Sequence, residues 1–516
     1  MVARTVDEVT LSAVQTPTRD STTRETFDSV EPATGALIAT WPVDGPAEVD
    51  AAARRAHTAA DWWAGLTWAQ RTHRLRAWKG VLARRLPELA ELVHRETGKP
   101  VADAVLEITL AIDHIEWAAS HAKGVMSPRR IPSGLLAANQ ASSVEYFPLG
   151  VIGVIGPWNY PVFTPLGSVA YALAAGNAVV FKPSEHTPGV GAWLVDAFTE
   201  ANADQPAPVL QLVTGFGPTG AALCRAGVSK LAFTGSAATG RTVMAACAEG
   251  LVPVLMECGG KDAMIVADDA DVPAAADAAL WGAMSNAGQT CIGIERVYAT
   301  DKVYDEFVRE LTTRAQAVHA GYENKDTSYG PATMPAQLGV IQRHIDDALA
   351  RGGRAVVGGA DAVHGAFVSP TVLVDVPEDS SAVQEETFGP TVTVARVRDL
   401  DEAVERANGT GYGLAGAVFS RSRGTGMAVA RRMRSGMTSV NSVIAFASVP
   451  GLPFGGVGES GFGRIHGADG LKEFTRAKAI TRQRFALPVP LMSFQRPEKA
   501  TAVLAGVVRV LHGRIR

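Results

Sequence analysis

Apolar residues recur at three- and four-residue steps through Val49, Ala53 and Ala56. Pro46 suits a first helical turn and Asp44 is placed to cap it. This periodicity predicts helix over 46–92, restarting near Trp68 and broken near Pro87. Gly98-Lys99-Pro100 ends the region, and helix resumes over 101–121, where Ile108, Ile112, Ile115 and Ala119 make one apolar stripe. The tryptophans along these helices (Trp62, Trp63, Trp68, Trp78, Trp117) read as core packing. The pattern then changes. Residues 142–146 read as an extended segment. Short apolar runs at 150–155, 178–182, 209–213 and 230–233 are each followed by Gly, Pro or Ser and then by a helical stretch. Strand alternating with helix predicts a mainly parallel sheet covered on both faces. Runs at 254–257 and 263–266 continue it, a second alternating block covers 297–394, and 438–441 adds a late strand. No internal repeat is visible.

At 516 residues the chain is long enough for two or three domains. A hydrophobic content of 47% and a charged content of 19% are those of an ordinary globular protein, and a net charge of −4 gives no electrostatic reason to expect a nucleic-acid partner. Four cysteines (Cys224, Cys247, Cys258, Cys291) are too few for a disulfide framework, so a reducing, cytoplasmic compartment is expected. Residues 1–25 are polar and read as a flexible arm. No stretch reaches the roughly 18 consecutive apolar residues of a membrane span. No paired Cys or His has metal-ligand spacing, so no metal is expected.

Candidate chemistry centres on Cys291, in Gly288-Gln289-Thr290-Cys291, and on Glu257, in Glu257-Cys258-Gly259-Gly260-Lys261. A thiol ringed by small residues, with a carboxylate on a glycine-rich turn, suits covalent thiol chemistry followed by hydrolysis. A hydrolase is the competing class, but no G-x-S-x-G elbow is present and no His flanks Cys291.

These two segments and five others, Pro157-Trp158-Asn159-Tyr160-Pro161, Lys182-Pro183-Ser184-Glu185, Phe233-Thr234-Gly235-Ser236, Glu385-Glu386-Thr387-Phe388-Gly389-Pro390 and Pro453-Phe454-Gly455-Gly456, stand in one order along the chain. Together they resemble the NAD(P)-dependent aldehyde dehydrogenase superfamily from about Ser29 to about Arg482. The resemblance implies an α/β fold with a Rossmann-type cofactor domain (26–140 and 152–258), an α/β catalytic domain (259–474) and a small β oligomerisation arm (141–151 and 475–487). Such an arm joins subunits into a homodimer or homotetramer. It further implies that Cys291 attacks an aldehyde, that the Asn159 amide and the Cys291 N–H receive the oxyanion, and that Glu257 activates water to release an acid. The acyl-CoA-forming branch of the family lacks that glutamate. A non-enzymatic structural relative, which tends to lose these residues, is the remaining alternative.

For the cofactor, Gly215-Phe216-Gly217-Pro218-Thr219-Gly220 fits G-x-G-x-x-G, but residue 235 is Gly where the ordinary dinucleotide fingerprint wants an acid. The resemblance puts Gly215 beside the adenine instead. The phosphates fall to Gly235, Ser236 and Gly240, where a Gly-Ser step opens a helix. By resemblance, Lys182 and Glu185 meet the adenosine ribose, Glu386 and Phe388 the nicotinamide ribose and ring, and Ile155 and Trp158 line the floor. A carboxylate at Glu185 favours NAD, with NADP the less favoured alternative. Tyr160, Phe163, Thr164, Gly167, Thr290, Ile292, Ile444, Phe446 and Phe454 would surround the substrate tunnel. That set holds no Lys or Arg, which predicts an apolar aliphatic or aromatic aldehyde. Gly167 and Thr164 are expected to leave width for a ring or longer chain. Succinic semialdehyde is the rival, because the run Cys291-Ile292-Gly293-Ile294-Glu295-Arg296 is similar to one bacterial branch, with Arg296 as the candidate for the missing cation.

Cys258 stands where many relatives carry Leu and is given no chemistry. The tail, 488–516, lies beyond the family core. Its apolar and basic residues predict a helix, packed on the protein body as the first expectation and lying on a membrane surface as the second.

Overall fold

A computed structural model describes residues 24–134, 137–322, 326–487 and 492–513. Residues 1–23 of the expected N-terminal arm, and 488–491 and 514–516 of the tail, lie outside the described residues.

The amphipathic start forms three helices, Pro46–Gly65, Trp68–Arg84 and Leu86–Thr97. The break falls at Arg85, and Pro87 sits in the first turn of the next helix, where its missing N–H is harmless. Asp44 is not the cap. Gly45 occupies that position and its N–H donates to Glu48 (3.0 Å). Asp44 instead accepts from the Thr214 N–H (2.7 Å), tying the helix entrance to the cofactor sheet. Trp63 and Trp78 are fully buried, and Trp62, Trp68 and Trp117 pack against the same core. The helix Val101–Met126 runs one turn beyond the expected end.

Two mainly parallel sheets follow, each with one antiparallel edge strand. The first has the order Gly461–Phe462, Val254–Glu257, Lys230–Thr234, Val151–Ile155, Ala178–Lys182, Leu210–Leu212, and only its short first strand is antiparallel. That strand has no apolar periodicity and was invisible in the sequence. The second sheet has seven strands, with Asp262–Val266 and Ile294–Thr300 at its centre and Ser439–Val440 at one edge. The central strands of both sheets are buried along their whole length because helices cover both faces, and the polar residues in them, Asp262, Glu295 and Arg296, are buried with the rest. A third sheet is antiparallel. Thr475–Gln483 pairs along its length with Gln140–Pro148, and Arg129–Ile131 closes the other side. The outer edge of Thr475–Gln483 carries no strand among the described residues.

Candidate active site

Cys291 lies in a turn just before the strand Ile294–Thr300. The preceding backbone is unusual. Asn286 (φ 54°), Ala287 (φ 56°) and Gly288 (φ 70°) are all left-handed. A side chain on Gly288 would meet the Gly389 carbonyl at 2.0 Å, so only glycine fits there. Side chains hold the strained turn shut. Asn286 Nδ2 donates to the Asn159 carbonyl (3.0 Å), and Gln289 Nε2 donates to the Asn286 carbonyl (3.0 Å). Asn159 Nδ2 donates one hydrogen to the Gln289 carbonyl (2.8 Å), which fixes its amide and leaves the second hydrogen for another acceptor.

Two cavities meet at Cys291. One is lined by Tyr160, Thr290, Ile292 and Ile444, and the other by Trp158, Asn159, Glu257, Glu386 and Phe388. Phe163, Thr164, Phe454 and Cys291 line both. Beyond Trp158 and Ser236 the second cavity continues as a groove past Ile155, Lys182, Glu185, Gly217 and Gly220. The Trp158 and Phe388 rings meet edge to face, with centroids 5.6 Å apart.

The thiol rests protonated. Burial raises its pKa, and the nearby carboxylates Glu386, Glu257 and Asp262 raise it further. Glu257, at the end of its strand, has both oxygens buried without a hydrogen-bond partner among the described residues. Burial lifts its pKa well above the carboxylate range, with Arg464 opposing and Glu473 adding. Glu386 accepts from the Gly260 N–H (2.9 Å), and burial pushes its pKa to about 8. The segment carrying it is anchored from below. Buried Glu295 accepts from the N–H groups of Thr387 (2.9 Å) and Phe388 (2.9 Å) and is paired with Lys261.

Several expected contacts fall elsewhere. Gly167 does not widen the tunnel, because a side chain there would meet His466 Nε2 at 2.6 Å; the space belongs to His466. Gly215 and Gly240 are not among the groove-lining residues. Gly215 (φ 138°) packs against Thr219, and Gly240 against the Cys258 sulfur. The Ser236 hydroxyl is spent locally, accepting from the Thr239 N–H (3.2 Å) at the start of the helix Ala237–Ala248. Phe446 stands behind Phe454, centroids 6.4 Å apart. Arg296 is turned away from the tunnel, donating to the carbonyls of Lys261 (2.6 Å) and Ala407 (2.9 Å).

The sequence reading missed one wall. The helix Val101–Met126 contributes Asp103, Leu106, Glu107 and Leu110 to the tunnel, with Lys99 just before it and Trp281 opposite. A cation is therefore present after all. It is consumed, since Lys99 Nζ donates to Glu107 (2.7 Å) and to the Asn159 carbonyl (2.7 Å). Glu107 also accepts from the Val162 (2.8 Å) and Phe163 (3.1 Å) N–H groups. The signal was available: Glu107 falls on the buried helix face between Ala104 and Ala111, where an acid needs a partner.

A family model for the aldehyde dehydrogenase family matches residues 18–480. A 4,4'-diapolycopene aldehyde oxidase from Methylomonas sp is 36% identical over 465 residues, covering 90% of this chain and 87% of that protein. A solved NADP-dependent enzyme from E. coli is 34% identical with a TM-score of 0.85, over 89% of this chain and 95% of that one. A succinate-semialdehyde dehydrogenase from Burkholderia pseudomallei is also 34% identical, with a TM-score of 0.84 over 89% and 95% of the two chains. The chain belongs to the aldehyde dehydrogenase family. It is an α/β oxidoreductase that acts on aldehydes, in a family that uses NAD(P).

Proposed function

We propose that this enzyme oxidises an apolar aldehyde to its carboxylic acid with NAD, through a thioester on Cys291. The observation that carries this reading is the meeting of two cavities at Cys291, with the unpartnered Glu257 carboxyl lining one of them. The Cys291 sulfur attacks the aldehyde carbon after losing its proton to a base, because its pKa is raised at rest. The free Asn159 amide hydrogen and the Cys291 N–H stabilise the oxyanion, each such donor being worth about 2.7–4 kcal/mol of barrier. The cofactor, when bound, supplies the acceptor for the hydride that leaves the aldehyde carbon. Glu257 then takes a proton from water, which hydrolyses the thioester. A buried carboxylate is a stronger base once ionised, so this step quickens as pH rises.

The groove fits a dinucleotide. The start of the helix Ala237–Ala248 lies on it at Ser236, the place for a diphosphate. Glu386 and Phe388 line the cavity at Cys291, which supports their assignment to the nicotinamide end, and Lys182 and Glu185 line the far groove, which supports theirs to the adenosine ribose. Glu185 repels a 2′-phosphate and supports NAD. Lys182 on the same groove narrows the preference, and the E. coli relative is NADP-dependent.

Tunnel charge supports an apolar substrate. Asp103 and Glu107 are both acids, Lys99 is committed to Glu107, and Arg296 faces away. A substrate carboxylate would be buried unpaired beside Asp103, at high cost. Leu106 and Trp281, about half exposed, form an apolar rim. The Methylomonas relative is named for a long apolar aldehyde, whereas the Burkholderia relative supports succinic semialdehyde as the rival. The test is kcat/KM from propanal to decanal, with benzaldehyde and succinic semialdehyde alongside and NAD compared with NADP. Binding should improve by up to about 0.8 kcal/mol per added CH₂. A preference for succinic semialdehyde overturns the substrate reading, and equal use of both cofactors overturns the NAD preference.

The domain division given above, with an oligomerisation arm at 141–151 and 475–487, belongs to the same proposal. The uncovered edge of Thr475–Gln483 supports a homodimer or homotetramer, since long bare edges recruit another strand. Four free cysteines support a cytoplasmic location.

A further inference from the structure

The helix Glu498–His512 is amphipathic and largely unpacked. Val503, Leu504, Val507, Val508, Val510 and Leu511 fall within one arc of nearly half its circumference, while Arg509, Glu498 and Lys499 fall outside it. A helix packed on the protein body would bury that arc. Here Val503 is 67% exposed, Val510 77% and Leu511 53%, and only Ala500 is buried. The first expectation for the tail is met only in part: Ala500 is buried and Leu504 and Val507 are half-buried, while the rest of the arc stands exposed. The segment leading into the helix adds Met492 and Phe494, both fully exposed.

We propose that residues 492–513 lie on an anionic lipid bilayer, with the Val/Leu arc in the acyl boundary and the cations at the headgroups. Three observations favour this occupant over another protein. The apolar arc is broad and continuous, as a fluid surface without fixed pockets requires. In sequence, the segment and the residues that follow it hold Arg496, Lys499, Arg509, Arg514 and Arg516 against the single acid Glu498, in a chain with 52 acidic and 48 basic residues overall. Each such cation near an anionic leaflet adds to binding. The exposed Phe494 and Met492 add apolar anchors beside the arc. Among the described residues no helix is long and apolar enough to cross a membrane, so the helix lies along the surface rather than through it.

The test is flotation of the full chain with vesicles of phosphatidylcholine, alone or mixed with phosphatidylglycerol. It needs no aldehyde, so its failure is separate from failure of the substrate reading. The full chain should float with the mixed vesicles and be released by salt. A chain ending at residue 491 should partition about tenfold less or worse. The pair Val503→Glu and Val510→Glu, which leaves the chain complete, should do the same. Both variants should oxidise propanal like the parent. The proposal is overturned if the full chain stays in solution, or if truncated and full chains float alike. It is also overturned if the Glu pair lowers the oligomeric mass without altering flotation, which would assign the arc to a second copy of this chain.

Discussion

At the scale of single residues, the site turns on a carboxyl and a thiol that are both uncomfortable at rest. Glu257 has no hydrogen-bond partner among the described residues, and Cys291 is kept protonated chiefly by burial. A bare buried carboxyl is costly, and such a cost is found where a proton must move. The Glu257→Gln variant keeps shape and removes basicity. Rapid mixing with cofactor and aldehyde should give one burst of reduced cofactor, and steady-state turnover should fall about 10²–10⁴-fold. Undiminished turnover would take the role away from Glu257. Asp103 acts at the same scale on selectivity. Its pKa is raised by burial, opposed by Lys99 and assisted by Glu107. Asp103→Asn should raise kcat/KM for succinic semialdehyde while leaving that for decanal nearly unchanged.

At the scale of elements, the loop carrying Glu386 and Phe388 is held by the buried Lys261–Glu295 pair rather than by regular structure. Glu295→Gln would leave Lys261 without its counter-charge in a buried site. Removing one partner of such a pair typically costs about 3–5 kcal/mol. A lower melting temperature and a raised KM for cofactor, with a smaller change in KM for aldehyde, should follow. An equal rise in both constants would mean that the pair does not position this loop. Glu295 also shows what the sequence made legible. The run Cys291–Arg296 suggested a substrate cation, whereas the structure spends Glu295 and Arg296 on backbone groups. The strands and helices were readable because period and length declare them. Alternating blocks announced the parallel sheets, and the ordered motifs announced which loops would meet. The tunnel wall at Asp103, Glu107 and Lys99 was not readable, since it depends on how one helix docks rather than on its own periodicity. The role of Gly167 was misread for the same reason, its open side being filled by His466, some 300 residues away in sequence.

For the whole molecule, burial of acids makes stability depend on pH in an unusual direction. Burial holds the carboxyls of Asp262 and Glu386 at about 8 in the folded chain, against ordinary values of 3.8 and 4.5. Between about 4 and 8 the folded state keeps protons that the unfolded chain has released, so these two groups lower stability as pH rises through that window. Thermal melts of the cofactor-free protein should therefore show a smaller decline for Glu386→Gln than for the parent between pH 5 and 8. Parallel profiles would mean that Glu386 is already ionised at neutral pH.

The wall shared by the two cavities has a kinetic consequence. Phe163, Thr164 and Phe454 line both cavities, the one proposed for the aldehyde and the one proposed for the cofactor. The chambers are therefore in series, and a guest in one alters the vestibule of the next. A bulky aldehyde that arrives first can lean past Cys291 into space the nicotinamide end requires, forming a dead-end complex. On the proposed assignment, productive traffic should run cofactor before aldehyde, and initial rates at low fixed cofactor should fall at high aldehyde concentration.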